Sequence, residues 1–357
     1  MYYIKEHLRE PAMHPLRLIG IALVLFLSAC APAVTAAPAP TPTAAPLPTP
    51  TESVILENPP SCAGANMVYH SQLQEVLLIG CVPGTVRQSS PNIIWGWNGE
   101  RWRRVTEGGP QMLLLGGAAY DEKRNVLVMY GGYSWAEDGC VRETWEWDGE
   151  SWTQKDAESP TACDHLEMIY DASREEVILF GGGDENQNLS SETWSWDGEE
   201  WTLLDSEGPP GRAHFGFVYD SVHEQVLIYG GYADQILYDF WIRRDGAWQS
   251  INFPGPGPLS HLGMASDQDA NELIIFGGAS STSTFTSLSD RTWRLANGAW
   301  SEVALEDHPS KRGSPTMTYD PQRERIVLYG GFASDRSDLD DTWEWDGNQW
   351  QCVDNCP

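Results

Sequence analysis

Three histidines share one spacing: His165, His214 and His261 stand five residues before Tyr170, Tyr219 and Ser266. Three imidazoles presented by successive elements could in principle ligate a metal ion. Two arginines, Arg212 and Arg312, lie seven residues before Tyr219 and Tyr319. A guanidinium there could grip a carboxylate bidentately, although with so many acids in the chain local ion pairing is the stronger expectation. Trp135, within Tyr133 to Asp138, could stack on a sugar, anchor a partner, or pack over its own loop. Acidic stretches at Asp184-Glu185-Asn186 and Asp335 to Asp341 could bind calcium, but neither has a calcium-loop spacing. No Ser-His-Asp set, phosphate-cradling loop or basic aromatic patch is recognisable.

These residues are set by a repeat. Thr144-Trp145-Glu146-Trp147-Asp148-Gly149-Glu150-Ser151-Trp152 returns at Thr193 to Trp201 and Thr342 to Trp350, with worn copies at Ile94 to Trp102, Phe240 to Trp248 and Thr292 to Trp300. Alternating large residues, then Asp-Gly or Asn-Gly and a further Trp, predict a hairpin with a two-residue type I′ turn. Upstream of each hairpin a strand ends in Gly-Gly, at 131, 181, 230, 277 and 330, degenerate as Gly80-Cys81 in the first copy; the intervals are 51, 50, 49, 47 and 53 residues. No helix follows these pairs, so they are strand ends and not nucleotide fingerprints. A third strand closes in Tyr-Asp at Tyr120, Tyr170, Tyr219 and Tyr319, replaced by Tyr69-His70 and Ser266-Asp267.

Four strands in about 50 residues is the size of one propeller blade. The order of inner strand, Gly-Gly strand and Trp hairpin resembles the kelch repeat over roughly residues 54–357. The resemblance implies an all-β, six-bladed kelch-like propeller with four antiparallel strands per blade, blades falling at about 54–109, 110–160, 161–209, 210–256, 257–309 and 310–357. A single blade cannot bury both its faces, so blades must stack. Sixteen of the 17 Trp lie in the hairpin motif, and burying each ring removes about 150–250 Å2 from water. They are expected to be inter-blade packing, and Trp196→Ala to destabilise by about 3–5 kcal/mol. Ser53 to Glu57 adds a short apolar stretch, either a closing clasp or a lead-in.

The resemblance also bears on the sites. In kelch-like repeats the histidine position often carries an inter-blade hydrogen-bonding residue, the expected role of His165, His214 and His261. The loop after Gly-Gly and the start of each inner strand share one face, where binding residues collect in propellers. Trp135, Arg212 and Arg312 are assigned to that exposed face, so their alanine variants are expected to fold. Galactose oxidase is similar in its propeller, but its Tyr, His and Cys–Tyr copper chemistry has no counterpart here. Kelch-type sialic acid mutarotases need only a carboxylate clamp and an acid–base group; Arg212 and Arg312 could be the clamp, and nothing in the sequence singles out the acid. Sialidase Asp boxes are excluded, because Ser195-Trp196-Asp197-Gly198 has Asp and Gly adjacent.

The amino terminus addresses the chain. Lys5, Arg9 and Arg17 precede ten apolar residues, Leu18 to Leu27, too short for a bilayer span and suited to a signal peptide. Leu27-Ser28-Ala29-Cys30 resembles the bacterial lipobox, implying cleavage after residue 29 and lipidation at Cys30; ordinary secretory cleavage nearby is the alternative. Residues 30–53, rich in Ala, Pro and Thr, read as a disordered tether. Export makes disulfides plausible. Of the six cysteines after Cys30, the blade pattern places Cys62 opposite Cys81 and Cys140 near Cys163, leaving Cys352 to pair with Cys356. No CxxC or Cys-His spacing supports metal.

The formal charge is −29, and three bases balance three acids in residues 1–52. The folded part therefore carries all of it, which argues against binding nucleic acid or anionic lipid through the body. The expectation is an exported, lipid-anchored monomer, without catalytic residues, metal or cofactor, that binds a protein or glycan at the outer face of a bacterial membrane. A carbohydrate-active kelch enzyme is the alternative.

Overall fold

The computed structural model describes residues 58–81, 91–111, 115–134, 139–252 and 254–357. The signal peptide, Cys30, the tether, residues 53–57 and Trp135 lie outside the described residues. Six four-stranded antiparallel sheets follow one another along the chain, each made of consecutive strands, and form a β-propeller. Blade three shows the pattern: Asp164–Asp171 is innermost, then Glu176–Gly183, Thr193–Trp196 and, at the rim, Trp201–Asp205. Among the described residues the one helical element is a 3-10 turn, Thr284–Thr286.

The Tyr-Asp signal is turn chemistry. Asp121, Asp171, Asp220, Asp267 and Asp320 each accept a backbone N–H from the turn that follows, an Asx arrangement that fixes the inner hairpin. In blade one the Nδ1 of His70 accepts from Leu73 instead. The Tyr hydroxyls reach back one blade: Ser173 N–H donates to Tyr219, and Tyr319 donates to Asp269. Tyr69 donates to Gln322, joining blade one to blade six.

Gly-Gly is where one blade meets the next. Gly132 N–H donates to the Cys163 carbonyl, Gly182 to Arg212, Gly231 to Leu259, Gly278 to Arg312, and Gly331 to Cys62. The last of these closes the ring with the joint used elsewhere, and the sheet of blade six is complete in its own four strands. At Gly230 the φ is 62° and a Cβ would lie 2.4 Å from the Leu259 carbonyl oxygen, so a side chain is excluded twice over.

The tryptophans bind neighbouring blades by area and by hydrogen bond. The final Trp of the motif donates its indole N–H to the motif Thr of the preceding blade: Trp102 to Thr342, Trp201 to Thr144, Trp248 to Thr193 and Trp350 to Thr292, at 2.8–2.9 Å. Blades one and four have Ile94 and Phe240 at the Thr position, and the indole nitrogens that would meet them, on Trp152 and Trp300, are buried without a partner. The middle Trp of the motif is fully buried in blades one and three, where Trp97 and Trp196 donate to Glu344 and Glu146 of the preceding blade.

The hairpin turns differ from the expectation. A two-residue turn with both residues at positive φ occurs only in blades four and five, at Asp245-Gly246 and Asn297-Gly298. In blades two and three the pairs Trp147–Trp152 and Trp196–Trp201 flank four turn residues, and only the Gly is left-handed. There Asp148 and Asp197 accept the two following backbone N–H groups. The Asp-Gly pair sits one position earlier in those copies, which converts Asp from a turn residue into a cap.

All three expected cysteine pairs are at bonding distance, with Cα separations of 5.5 Å for Cys62–Cys81, 5.7 Å for Cys140–Cys163 and 5.7 Å for Cys352–Cys356.

Candidate functional site

The six inner strands surround a central channel of about 320 Å3. On the inner strand of blade three, burial alternates: Asp164, Leu166 and Met168 are buried, the last two packed against blade two, while His165, Glu167 and Ile169 are half-buried, and all of these but Asp164 line the channel. The same alternation stacks side chains in tiers around the axis.

The tier at one mouth holds Gly64, Leu115, His165, His214, His261 and Ser314, every one in the left-handed region with φ between 47° and 68°. The conformation is set by the ring and not by the residue type. It turns the amide toward the previous blade, so that His165 N–H donates to Leu115, His261 to His214, Ser314 to His261 and Gly64 to Ser314. The inter-blade hydrogen bonds expected of the histidines are thus made by backbone. The imidazoles pack on one another: His165 meets His214 edge-on at 4.5 Å, and His214 stacks on His261 at 3.8 Å. Burial, and then the other imidazoles, push His214 well below the usual range; burial, and then His165, depress His261 to about 3. Both are neutral at physiological pH. Among the described residues no three His, Cys, Asp or Glu side chains are arranged to hold a metal ion.

At the next repeat position stand Asn66, Gly117, Glu167, Gly216, Gly263 and Thr316, of which all but Gly117 line the channel. Glu167 is the residue the sequence did not flag. Among the described residues its carboxyl has neither hydrogen bond nor ion pair, and burial pushes it up to about 8. A protonated or shared carboxyl inside a cleft is what acid–base chemistry or selective binding uses. The only available signal was the repeat itself: Glu167 falls three residues before Tyr170, where other blades place Gly, Asn or Thr.

Arg212 and Arg312 are corrections. Both are fully buried. Arg212 makes a bidentate pair with Asp239 at 2.8 and 2.8 Å, and Arg312 with Asp341 at 2.6 and 2.7 Å. Each also donates to a Gly-Gly carbonyl, Gly230 or Gly330. They stand beside the channel mouth but face into the blade, so they are not free to clamp a ligand, and their alanine variants are not expected to fold well. The partner acids lie 27 and 29 residues downstream, which hid the pairing. Trp135 is outside the described residues; Tyr133–Ser134 pairs with Gly139–Cys140 at the base of its loop. Of the acidic loops, Asp184 caps its own turn through Asn186 and Asn188, and Asp335 caps through Ser337.

A ring of six four-stranded blades joined through Gly-Gly and Trp, around a polar channel, defines a kelch-type propeller. A family model described as the KLHDC2/KLHL20/DRC7 Kelch-repeats domain matches residues 172–355, more than half of the chain, and the chain belongs to the Kelch-repeat family. The solved structure described as "Structure of YjhT" is similar, with a TM-score of 0.63 over 83% of this chain and 98% of that chain, at 12% sequence identity. At that identity the likeness shows the fold. Among curated proteins none matches significantly.

Proposed function

We propose that the protein is an exported, lipid-anchored binding module whose ligand site is the central channel, taking a glycan or a protein segment at the cell surface without chemical conversion. The observation that carries this reading is Glu167, a carboxyl without a partner in the wall of a channel large enough for a monosaccharide-sized group. The lipobox at Cys30 and three cysteine pairs at bonding distance support export. The test is a glycan panel on residues 53–357 read by thermal shift, with Thr318→Trp as a variant that fills the channel from its wall. A ligand should raise the melting temperature of the wild type by mass action and leave the filled variant unmoved. A ligand that stabilises both equally binds elsewhere.

The same carboxyl favours one second reading. Glu167 supplies the acid–base group that a sialic acid mutarotase-like activity requires. The clamp that activity also needs is not supplied by Arg212 or Arg312, whose guanidinium groups are held by Asp239 and Asp341. Anomer interconversion followed by NMR, in wild type and Glu167→Gln, separates the two readings.

A further inference from the structure

We propose that the channel ligand carries a positive charge, a protonated amine on a small hydroxyl-bearing frame (an amino sugar, by chemical class), and that Glu167 is its counter-ion. The inference rests on the channel being the ligand site.

The first ground is how this protein treats most of its other sheltered acids; the exceptions include Asp164, which faces His165, and Asp267, which accepts a turn N–H. Glu75 is paired with Arg103, Asp121 and Glu146 with Arg124, Asp320 and Glu344 with Arg323, and Asp341 with Arg312. A carboxylate taken out of water needs a cation or hydrogen-bond donors to offset its lost hydration. Glu167 is sheltered and has neither. The equivalent positions on the two adjoining blades are Gly117 and Gly216, which carry no side chain that could pair with it. The site has the acid and the space, and lacks the cation.

The second ground is the sign of the lining. Among the described residues lining the channel the formally charged side chains are Glu167 and Glu122, and there is no Lys or Arg. Three imidazoles share the cavity with Glu167: His214 and His261 are held neutral by burial, and His165 has its Nδ1 3.1 Å from the Asp164 carboxylate. Glu122, toward the opposite mouth, is itself raised by burial and by Asp121. An anion entering this channel would lose its hydration and meet no Lys or Arg. An ammonium group would find Glu167, and the net charge of −29 would draw it in. Asn66, Thr316 and Thr318 offer hydrogen bonds to hydroxyl groups in the same cavity.

The third ground is a proton balance that a neutral ligand would not produce. The Glu167 carboxyl, raised to about 8, holds its proton in the free protein at neutral pH. An ammonium bound beside it favours the carboxylate, so binding expels that proton into solvent. One ammonium–carboxylate contact forms and one carboxyl O–H is lost, with charge conserved.

The experiment uses one pyranose frame at three charges: glucosamine, then glucose and N-acetylglucosamine, then glucuronate. Isothermal calorimetry is run at about pH 6.5, where the amine is protonated, in two buffers of different ionisation enthalpy. Glucosamine is expected to bind at least about tenfold more tightly than either neutral sugar, with glucuronate weakest, and to release about one proton per molecule bound. Glu167→Gln, which keeps the shape, is expected to lower glucosamine to the level of glucose and to abolish the proton release. Neutral or acidic sugars binding as tightly as glucosamine would overturn the charge assignment and leave the channel reading in place. The same holds if Glu167→Gln keeps the preference. Silence from all four overturns the amino-sugar assignment, and silence from the wider glycan panel as well would overturn glycan binding in the channel. The wild-type charge series and proton count decide the matter even if the variant folds poorly.

Discussion

Blades one and three, and blades four and six, solve one structural problem with different chemistry. The position seven residues before the Tyr is where the start of the inner strand meets the Gly-Gly loops. Blades one and three place Cys62 and Cys163 there, with Cα atoms 5.5 and 5.7 Å from those of Cys81 and Cys140. Blades four and six place Arg212 and Arg312, each buried against an aspartate and a glycine carbonyl. Blade five makes do with Leu259, buried by packing alone. The junction has to be fastened because the backbone carbonyl of this residue also receives the N–H of the preceding blade's second Gly. A covalent fastener depends on the compartment, whereas an ionic one depends on complete pairing.

The largest effect should come from breaking an ionic fastener. Asp341→Ala leaves Arg312, which has no exposure to solvent, without its counter-charge, and about 3–5 kcal/mol of stability should be lost. Chemical denaturation checks this; a loss near zero would mean that the pair is dispensable. Replacing Arg312 and Asp341 together by hydrophobic residues of similar volume should cost much less, since no charge is then stranded.

Next comes the covalent fastener. Cys62→Ala with Cys81→Ala should cost about 3 kcal/mol on the loop-closure estimate, and reducing agent should lower the melting temperature of the wild type more than that of a quadruple variant that also lacks the Cys140–Cys163 pair. If reductant moves neither protein, the cysteines fasten nothing.

A smaller effect tests the Trp ladder. Thr144→Val removes the acceptor of Trp201 and should cost about 1–3 kcal/mol, the penalty for a buried donor left unmet. Ile94→Thr offers Trp152 the acceptor it lacks, so its loss should be smaller than that of an Ile→Thr change at an ordinary core site. Equal costs at both would show that the hydrogen bond is unimportant beside the ring packing.

The smallest is a pH effect confined to the channel mouth. His214 and His261 have depressed values in the folded state. The unfolded chain therefore takes up protons first as pH falls through about 6.5, and the folded protein loses stability on that limb. Glu167 acts oppositely: its raised value means that the folded state holds the proton, and stability falls as pH rises from about 4.5 to about 8. His214→Asn with His261→Asn, keeping a residue tolerant of positive φ, should flatten the acid limb in thermal melts. Glu167→Gln should flatten the other.

Several of these contacts were legible in the residues and several were not. The Cys pairing followed from the repeat, because Cys62 and Cys81 mark two strands whose register the turn dictates. The fate of the arginines did not, because nothing near Arg212 or Arg312 in sequence tells whether Asp239 or Asp341 will reach them. The histidines fell between: their tier and mouth were given by spacing, but the contacts they make were not, since Leu115 and Ser314 occupy the same backbone conformation without an imidazole.

What the sequence by itself determined is the repeat: six units, four strands in each, glycines where backbones meet and tryptophans between sheets. Those features depend on turn chemistry and on side-chain alternation, which act within a few residues. What only the tertiary structure decided is the environment of single charged groups. Glu167 is unpartnered because, among the described residues, no blade brings a Lys or Arg to the channel wall, and Arg312 is silent because Asp341 folds back onto it. Solvation and charge are fixed by neighbours in space, and in a closed ring the decisive neighbours come from other blades.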